Sequence, residues 1–160
     1  MHIPRMDSRG GGVGLLYNKC YKIEKQDDTS FLSFEYMEVL LGSPTTVLRI
    51  GVLYRPLPST ENGLTATMFF NELPILLSLL LVGDFNFHVD NHTDNVASKF
   101  LDSLDSYNLV QHFSGPTHED KHTLDLMTAR ACEDTIQSWS TLNPHLSDHL
   151  AIHSKLSLPQ

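Results

Sequence analysis

Four short stretches carry the residue types that could do chemistry: Tyr54-Arg55-Pro56, Gly83-Asp84-Phe85-Asn86, Thr123-Leu124-Asp125-Leu126 and Ser147-Asp148-His149. Asp84 and Asn86 follow a hydrophobic run that ends at Gly83. Where backbone stays extended, residues i and i+2 point to the same side. A carboxylate and a carboxamide would then face one spot at the carboxyl end of a strand. That pair suits a base that takes a proton from water, beside an amide that hydrogen-bonds a phosphate oxygen. The same two residue types also suit an Asx turn after a strand, and the spacing leaves both readings open.

The other stretches pose similar alternatives. A carboxylate beside an imidazole, as in Asp148-His149, can ligate a metal or support proton transfer. Strand neighbours point to opposite faces, so these two share a site only if the chain bends there. With nine histidines in the chain, a chance Asp-His pair is the competing reading. Asp125 sits in the apolar run Leu124-Asp125-Leu126-Met127, where a carboxylate needs a partner or a proton unless it faces solvent. His149 is a candidate partner, because a carboxylate fixes the tautomer and orientation of an imidazole. Tyr54 closes an apolar run, either as a core ring with its hydroxyl at the edge or as part of a site. His118 and His122 are spaced like metal ligands on a helix, yet they follow Gly115-Pro116, where a loop is expected. His88, Asp90 and His92 read as a polar loop. Arg55-Pro56-Leu57-Pro58 reads as a strand terminator more than as a polyproline ligand.

These residues need elements to hold them. Val13 to Tyr17 and Phe31 to Leu41 are expected strands, the latter closed by the turn signal Gly42-Ser43-Pro44. Lys22 to Ser30 reads as a loop. Thr45 to Tyr54 is nearly all apolar and rich in Val, Ile and Thr, as in a strand covered on both faces. After the turn at Asn62-Gly63, a helix is expected over Thr65 to Leu73 and a buried strand over Leu76 to Gly83. Asp94 or Asn95 can cap a helix whose apolar positions are Val96, Phe100, Leu101, Leu104 and Tyr107. Leu109 to Phe113, Thr123 to Met127, Thr135 to Trp139 and His149 to Leu156 complete the expected strands. The pattern is a mixed α/β domain with sheets as its main layer.

The chain has 160 residues and 41% hydrophobic content, enough for one domain with a real core. Its net charge of −8 excludes a protein that grips nucleic acid by bulk positive field, but not one that meets phosphate through a bound cation. Cys20 and Cys132 make no disulfide framework. The most apolar run, Leu73 to Val82, is about half of the ~20 residues that a spanning helix needs, so no membrane span is expected. No apolar leader and no hydrophobic strand precede the glycines at 10–12, and residues 1–8 read as a tail before one unit over 9–158. Nothing in the sequence fixes an oligomeric state, and no basic localisation cluster is present.

Taken in order, the four stretches resemble the endonuclease/exonuclease/phosphatase family, and more narrowly the apurinic-type endonuclease domain of LINE-type retrotransposons. The likeness runs from about Arg9 to Leu156. It is supported by Arg9-Gly10-Gly11-Gly12-Val13-Gly14-Leu15, Phe34-Glu35-Tyr36-Met37-Glu38-Val39 and Gly115-Pro116-Thr117-His118. The resemblance implies a four-layer α/β sandwich, two packed β-sheets with outer helices, here lacking its first strands. It implies a Mg²⁺- (or Mn²⁺-) dependent phosphodiesterase acting on DNA, with a nuclear location. By similarity Asp84 would activate water, Asn86 would hold the scissile phosphate, and Tyr54 would hydrogen-bond it. His149 would polarise a phosphoryl oxygen, Asp125 would orient His149, and Asp148 would serve the metal. The family's strand bearing a metal-binding Glu has no counterpart before Gly10, and Glu24, Glu35 and Glu38 lie beyond that landmark. The segment between Asn62-Gly63 and Gly83 also looks short for the family. Weakened metal binding and impaired activity are therefore expected. A non-catalytic remnant and a phosphatase of the same fold are the alternatives.

Overall fold

The computed structural model describes residues 1–3, 12–26, 29–43, 46–76, 80–132 and 134–157. The tail after Ile3, the glycines at 10 and 11, Pro44 of the expected turn, and residues 77–79 and 158 lie outside the described residues.

In chain order the strands begin with β1 (His2–Ile3), β2 (Val13–Gly14), β3 (Ile23–Lys25), β4 (Glu35–Ser43) and β5 (Thr46–Tyr54). Helix α1 (Ala66–Glu72) runs into a 3₁₀ turn at Leu73–Ile75, followed by β6 (Leu80–Asp84) and helix α2 (Asn95–Ser106). Then come β7 (Leu109–Gln111), β8 (Asp125–Arg130), β9 (Ile136–Leu142) and β10 (Ala151–Leu156). The main sheet has six strands in the order β3-β4-β5-β6-β8-β7, and β9–β10 and β1–β2 form antiparallel pairs. β5 and β6 run parallel, with α1 in the connection between them.

Both helices start as their caps dictate. Thr65 Oγ1 accepts from Met68 N at 3.2 Å, and Asp94 Oδ1 accepts from Val96 N and Ala97 N at 2.7 and 3.2 Å. The inward stripe of α2, Ala97, Phe100 and Leu104, is buried at helical spacing. It packs with Phe69, Phe85 and Phe87 against Leu53, Leu81 and Leu126 on one face of the main sheet. On the other face Leu48, Leu80, Phe113 and Met127 meet Ile136, Ile152 and Leu156 of β9 and β10. Two sheets packed face to face with helices outside form the α/β sandwich that the resemblance implied. Leu48 and Leu53 of β5 are buried on opposite faces, as its nearly all apolar run suggests, and Arg49 interrupts that run by pairing with Glu38 at 3.3 Å. Among the described residues, no helix is long and apolar enough to cross a membrane.

Two expectations are corrected. A strand does precede the glycines: His2 and Ile3 pair with Gly14 and Val13, and Met1 exchanges backbone bonds with Leu15. A pairing of two residues is too short to be announced by an apolar run. Within the stretch expected as a loop, Ile23–Lys25 forms the edge strand β3. Its outer residues Glu24 and Lys25 are exposed, and a charged edge shows no hydrophobic period.

Candidate functional site

Register alone puts three of the sequence-derived residues in a row. β5, β6 and β8 are adjacent, and their ends pair Tyr54 with Asp84 and Asp84 with Asp125. Gly83 makes this possible. Its φ is +143°, and a Cβ there would lie 1.8 Å from the Leu53 carbonyl oxygen, so only glycine lets β6 come so close to β5 as it delivers Asp84.

After Asp84 the chain leaves the strand, and Asn86 takes a left-handed conformation at φ 51°. Asp84 and Asn86 meet through a turn, not through continued extended backbone. Asp84 Oδ1 accepts from Asn86 N at 3.0 Å, while Asn86 Nδ2 donates to Asp84 Oδ2 at 3.0 Å and to the Arg55 carbonyl at 2.7 Å. The Asx turn and the carboxylate–carboxamide pair are thus one structure.

Arg55, which the sequence presents as a strand terminator, lies buried beneath this turn. It donates to the carbonyls of Phe85 and Asn86 at 3.2 and 3.0 Å, and its guanidinium lies 4.0 Å from the Phe87 ring centroid. Burial draws Arg55 down to about 10, against the opposing pull of Asp84. No periodicity marks it; a cation just past the end of a mostly apolar strand is the only signal.

Asp125 is the first residue of β8 and accepts from His149 Nδ1 at 2.7 Å. β8 starts two residues later than expected because side chains hold the preceding amides. Thr123 N donates to Asp90 Oδ1 at 2.8 Å, and Leu124 N and Asp125 N donate to the Oγ1 of buried Thr117 at 2.9 and 3.0 Å. The chain does bend before β10, which begins at Ala151, and both Asp148 and His149 face the site. Backbone bonds fix that bend: Glu119 N to Asp148 O at 2.9 Å and Leu150 N to Thr117 O at 2.7 Å.

A cavity of about 410 Å³ collects these groups, lined by Tyr54, Asp84, Asn86, Asp148 and His149. Asp125 stands behind His149. His88, His118, Asp120 and His122 line it as well, and sequence reasoning left them in loops. His118 Nε2 lies 3.3 Å from Asp148 Oδ2, and His122 Nδ1 lies 3.0 Å from Asp90 Oδ2. Their partners are about thirty residues away, beyond the reach of local spacing. His92 stays exposed. Each described residue lining the cavity is an imidazole, an acid or an uncharged group; no Lys or Arg is among them.

This crowd of acids perturbs its members. Burial, and then the Asp125 charge, push Asp84 up to about 6 despite the Asn86 bonds. Burial alone would lower His149, but the Asp125 hydrogen bond and charge, followed by Asp84 and Asp148, raise it above 6.5. Asp148 is held low, by a backbone hydrogen bond and then by His118. His118, Asp148 and His149 each offer one ligand atom, all within 4.8 Å of one another, a spacing that one cation can bridge.

Residues 48–153 match the family model described as Endonuclease-reverse transcriptase. Among solved structures, the chain is similar to the endonuclease domain of TRAS1, a telomere-specific non-LTR retrotransposon (TM-score 0.65, 14% identity, covering 86% of this chain and 67% of that one). It is also similar to the human Nocturnin catalytic domain (TM-score 0.60, 18% identity, 86% and 60%). A third likeness is to an endonuclease/exonuclease/phosphatase family protein from Leptotrichia buccalis C-1013-b (TM-score 0.51, 16% identity, 76% and 52%). The chain spans about half to two thirds of the length of these structures. Among curated proteins none matches it.

Proposed function

The chain belongs to the endonuclease–reverse transcriptase family, whose model covers residues 48–153, and from that premise we propose that it is a metal-dependent phosphodiesterase acting on DNA. The observation that supports this most is the convergence of Tyr54, Asp84 and Asp125 at the ends of three adjacent strands, with His149 hydrogen-bonded to Asp125.

In this reading Asp84 is the base. Its carboxyl is raised to about 6, so near neutral pH it is ionised yet basic enough to take a proton from water. Asn86 keeps that carboxylate aimed. Both its Nδ2 hydrogens already have acceptors, so a phosphate oxygen held there takes the place of Asp84 Oδ2 on one of them. Asp125 occupies Nδ1 of His149 and leaves Nε2 facing the cavity, where in its unprotonated form it would hold a cation against the phosphoryl oxygen. Tyr54 offers its hydroxyl from the end of β5.

Donor chemistry at Asp148, His118 and His149 fits a divalent cation, which when bound would neutralise phosphate charge and favour the developing transition state. Asp148 is the single carboxylate in that cluster. A set so poor in oxygen holds Mg²⁺ weakly, and low Mg²⁺-supported turnover is part of the proposal.

Supercoiled-plasmid nicking under a Mg²⁺ or Mn²⁺ titration tests it, with Asp84→Ala and His149→Ala alongside. Metal-dependent nicking lost in both variants is the expected result. Absence of nicking by well-folded protein at saturating metal refutes it and leaves a non-catalytic domain of this fold.

A further inference from the structure

We propose that the His118–Asp148–His149 cluster is a site for a borderline divalent transition ion such as Zn²⁺ or Co²⁺, with His118 a ligand, and that it discriminates against Mg²⁺. The inference deepens the proposed function by naming the class of cation the site takes, and it rests on that reading only in linking the cation to phosphodiester chemistry.

The donor set carries the first part of the argument. Two imidazoles and one carboxylate present ligand atoms within 4.8 Å of one another. Mg²⁺ seeks oxygen donors in a near-octahedral shell and gives up its water reluctantly. Imidazole nitrogen suits first-row transition ions, and two histidines with one carboxylate leave coordination positions open for water or substrate.

The surroundings of each ring carry the second part. A ligating histidine usually presents its other ring nitrogen to a carboxylate, which fixes its orientation and raises its basicity. His149 does this with Asp125, Nδ1 to Oδ2 at 2.7 Å. His118 has Asp120 Oδ2 near its Nδ1, at 3.6 Å and outside hydrogen-bond distance, while its Nε2 faces Asp148 Oδ2 at 3.3 Å. In the cation-free arrangement the Asp120 amide donates to His118 Nδ1 at 3.1 Å, so the ring proton sits on Nε2 and bridges to Asp148. A cation in place of that bridging proton would put the ring proton on Nδ1, breaking the Asp120 amide bond there and drawing Asp120 Oδ2 in from 3.6 Å to accept it. The exchange is a change of tautomer at His118, with no net proton lost from that ring.

Rigidity carries the third. Residues 118 and 149 face each other in an antiparallel bridge, and the two rings meet edge to face with centroids 5.0 Å apart. Flanking backbone bonds between 119 and 148 and between 150 and 117 lock the two segments together. Thr117 Oγ1 ties them in turn to β8. Donors held this way lose little freedom when an ion binds.

Titration of the full chain with Co²⁺, read by visible d–d absorption, tests the site without turnover. Expected are a one-to-one end point and bleaching by one equivalent of Zn²⁺. A large excess of Mg²⁺ is expected to leave the spectrum intact. Asp148→Asn, at an exposed side chain, should weaken Co²⁺ binding at least ~10-fold. His118→Gln should do the same, and Asp120→Asn should weaken it by ~10-fold or more through the ring it orients. His122→Gln should leave it unchanged. Bleaching by Mg²⁺, no absorption at all, or a spectrum indifferent to Asp148→Asn and His118→Gln overturns the proposal. A Co²⁺ spectrum of the expected kind without plasmid nicking refutes the phosphodiesterase reading alone. Mg²⁺-supported nicking without Co²⁺ binding refutes the transition-ion site alone.

Discussion

Asp84→Asn should stabilise the protein at alkaline pH while removing any turnover that needs this carboxylate. Burial, then the neighbouring Asp125 charge, lift Asp84 from 3.8 to about 6 in the folded chain. A carboxyl raised in this way favours the fold while protonated, and the advantage is lost as pH climbs from 3.8 through about 6. At ~1.4 kcal/mol per pH unit, the charged form sits up to ~3 kcal/mol above the protonated one, a gap that solvent in the cavity screens toward ~2 kcal/mol. Asn keeps the Oδ1 acceptor for Asn86 N but loses the acceptor for Asn86 Nδ2, worth about 1 kcal/mol. The variant should therefore be more stable than wild type by ~1 kcal/mol near pH 8, and less stable by about 1 kcal/mol near pH 4, where wild-type Asp84 is already neutral. Urea unfolding around pH 4, 6 and 8, with both chains fitted to a common slope, measures the crossing. A variant less stable than wild type at pH 8, or a difference that does not move with pH, refutes the electrostatic account of Asp84.

Gly83→Ala should lower stability by ~3 kcal/mol or more, visible as a Tm lower by roughly 10 °C or as failure to fold, because its Cβ would meet the Leu53 carbonyl at 1.8 Å. Thr117→Val should destabilise by ~2 kcal/mol or more in urea by leaving the Leu124 and Asp125 amides without an acceptor, and Thr117→Ser should restore most of the loss. If the chain cleaves phosphodiesters, kcat/KM should rise through about pH 6 as Asp84 loses its proton. Asp125→Asn should lower kcat/KM by ~10-fold or more by freeing the ring of His149 that Asp125 orients.

The parts of the site legible in the sequence are those that strands deliver. Tyr54, Asp84 and Asp125 each end or begin an apolar run, and three adjacent strands then align them by register. Asp148 and His149 were legible as residue types, but their shared orientation depends on a bend set by bonds from 117 and 119. His118 and His122 were visible as a spacing, and they lie in the loop that Gly115-Pro116 announced, but their partners were not visible. They act in a loop, each against an acid far away in sequence, not from one helical face. Arg55 was hidden for a different reason: its partners are backbone carbonyls, and carbonyls have no sequence signature.

The site is also where the fold works against itself. Asp84 and Asp125 stand directly opposite each other on antiparallel strands, a placement that like charges disfavour. Three neighbours counter it from different sides. Arg55 lies beneath the turn, Asn86 holds both oxygens of Asp84, and His149 takes up the charge of Asp125. Arg55 is buried against the Phe69 and Phe87 rings as well as beneath the turn. A fold shaped for stability alone would place an apolar pair at positions 84 and 125 and dispense with a buried arginine. Two opposed carboxylates retained with a dedicated set of counter-charges are better explained by chemistry at the cavity, and that is why the Asp84→Asn crossing is the most discriminating of these measurements.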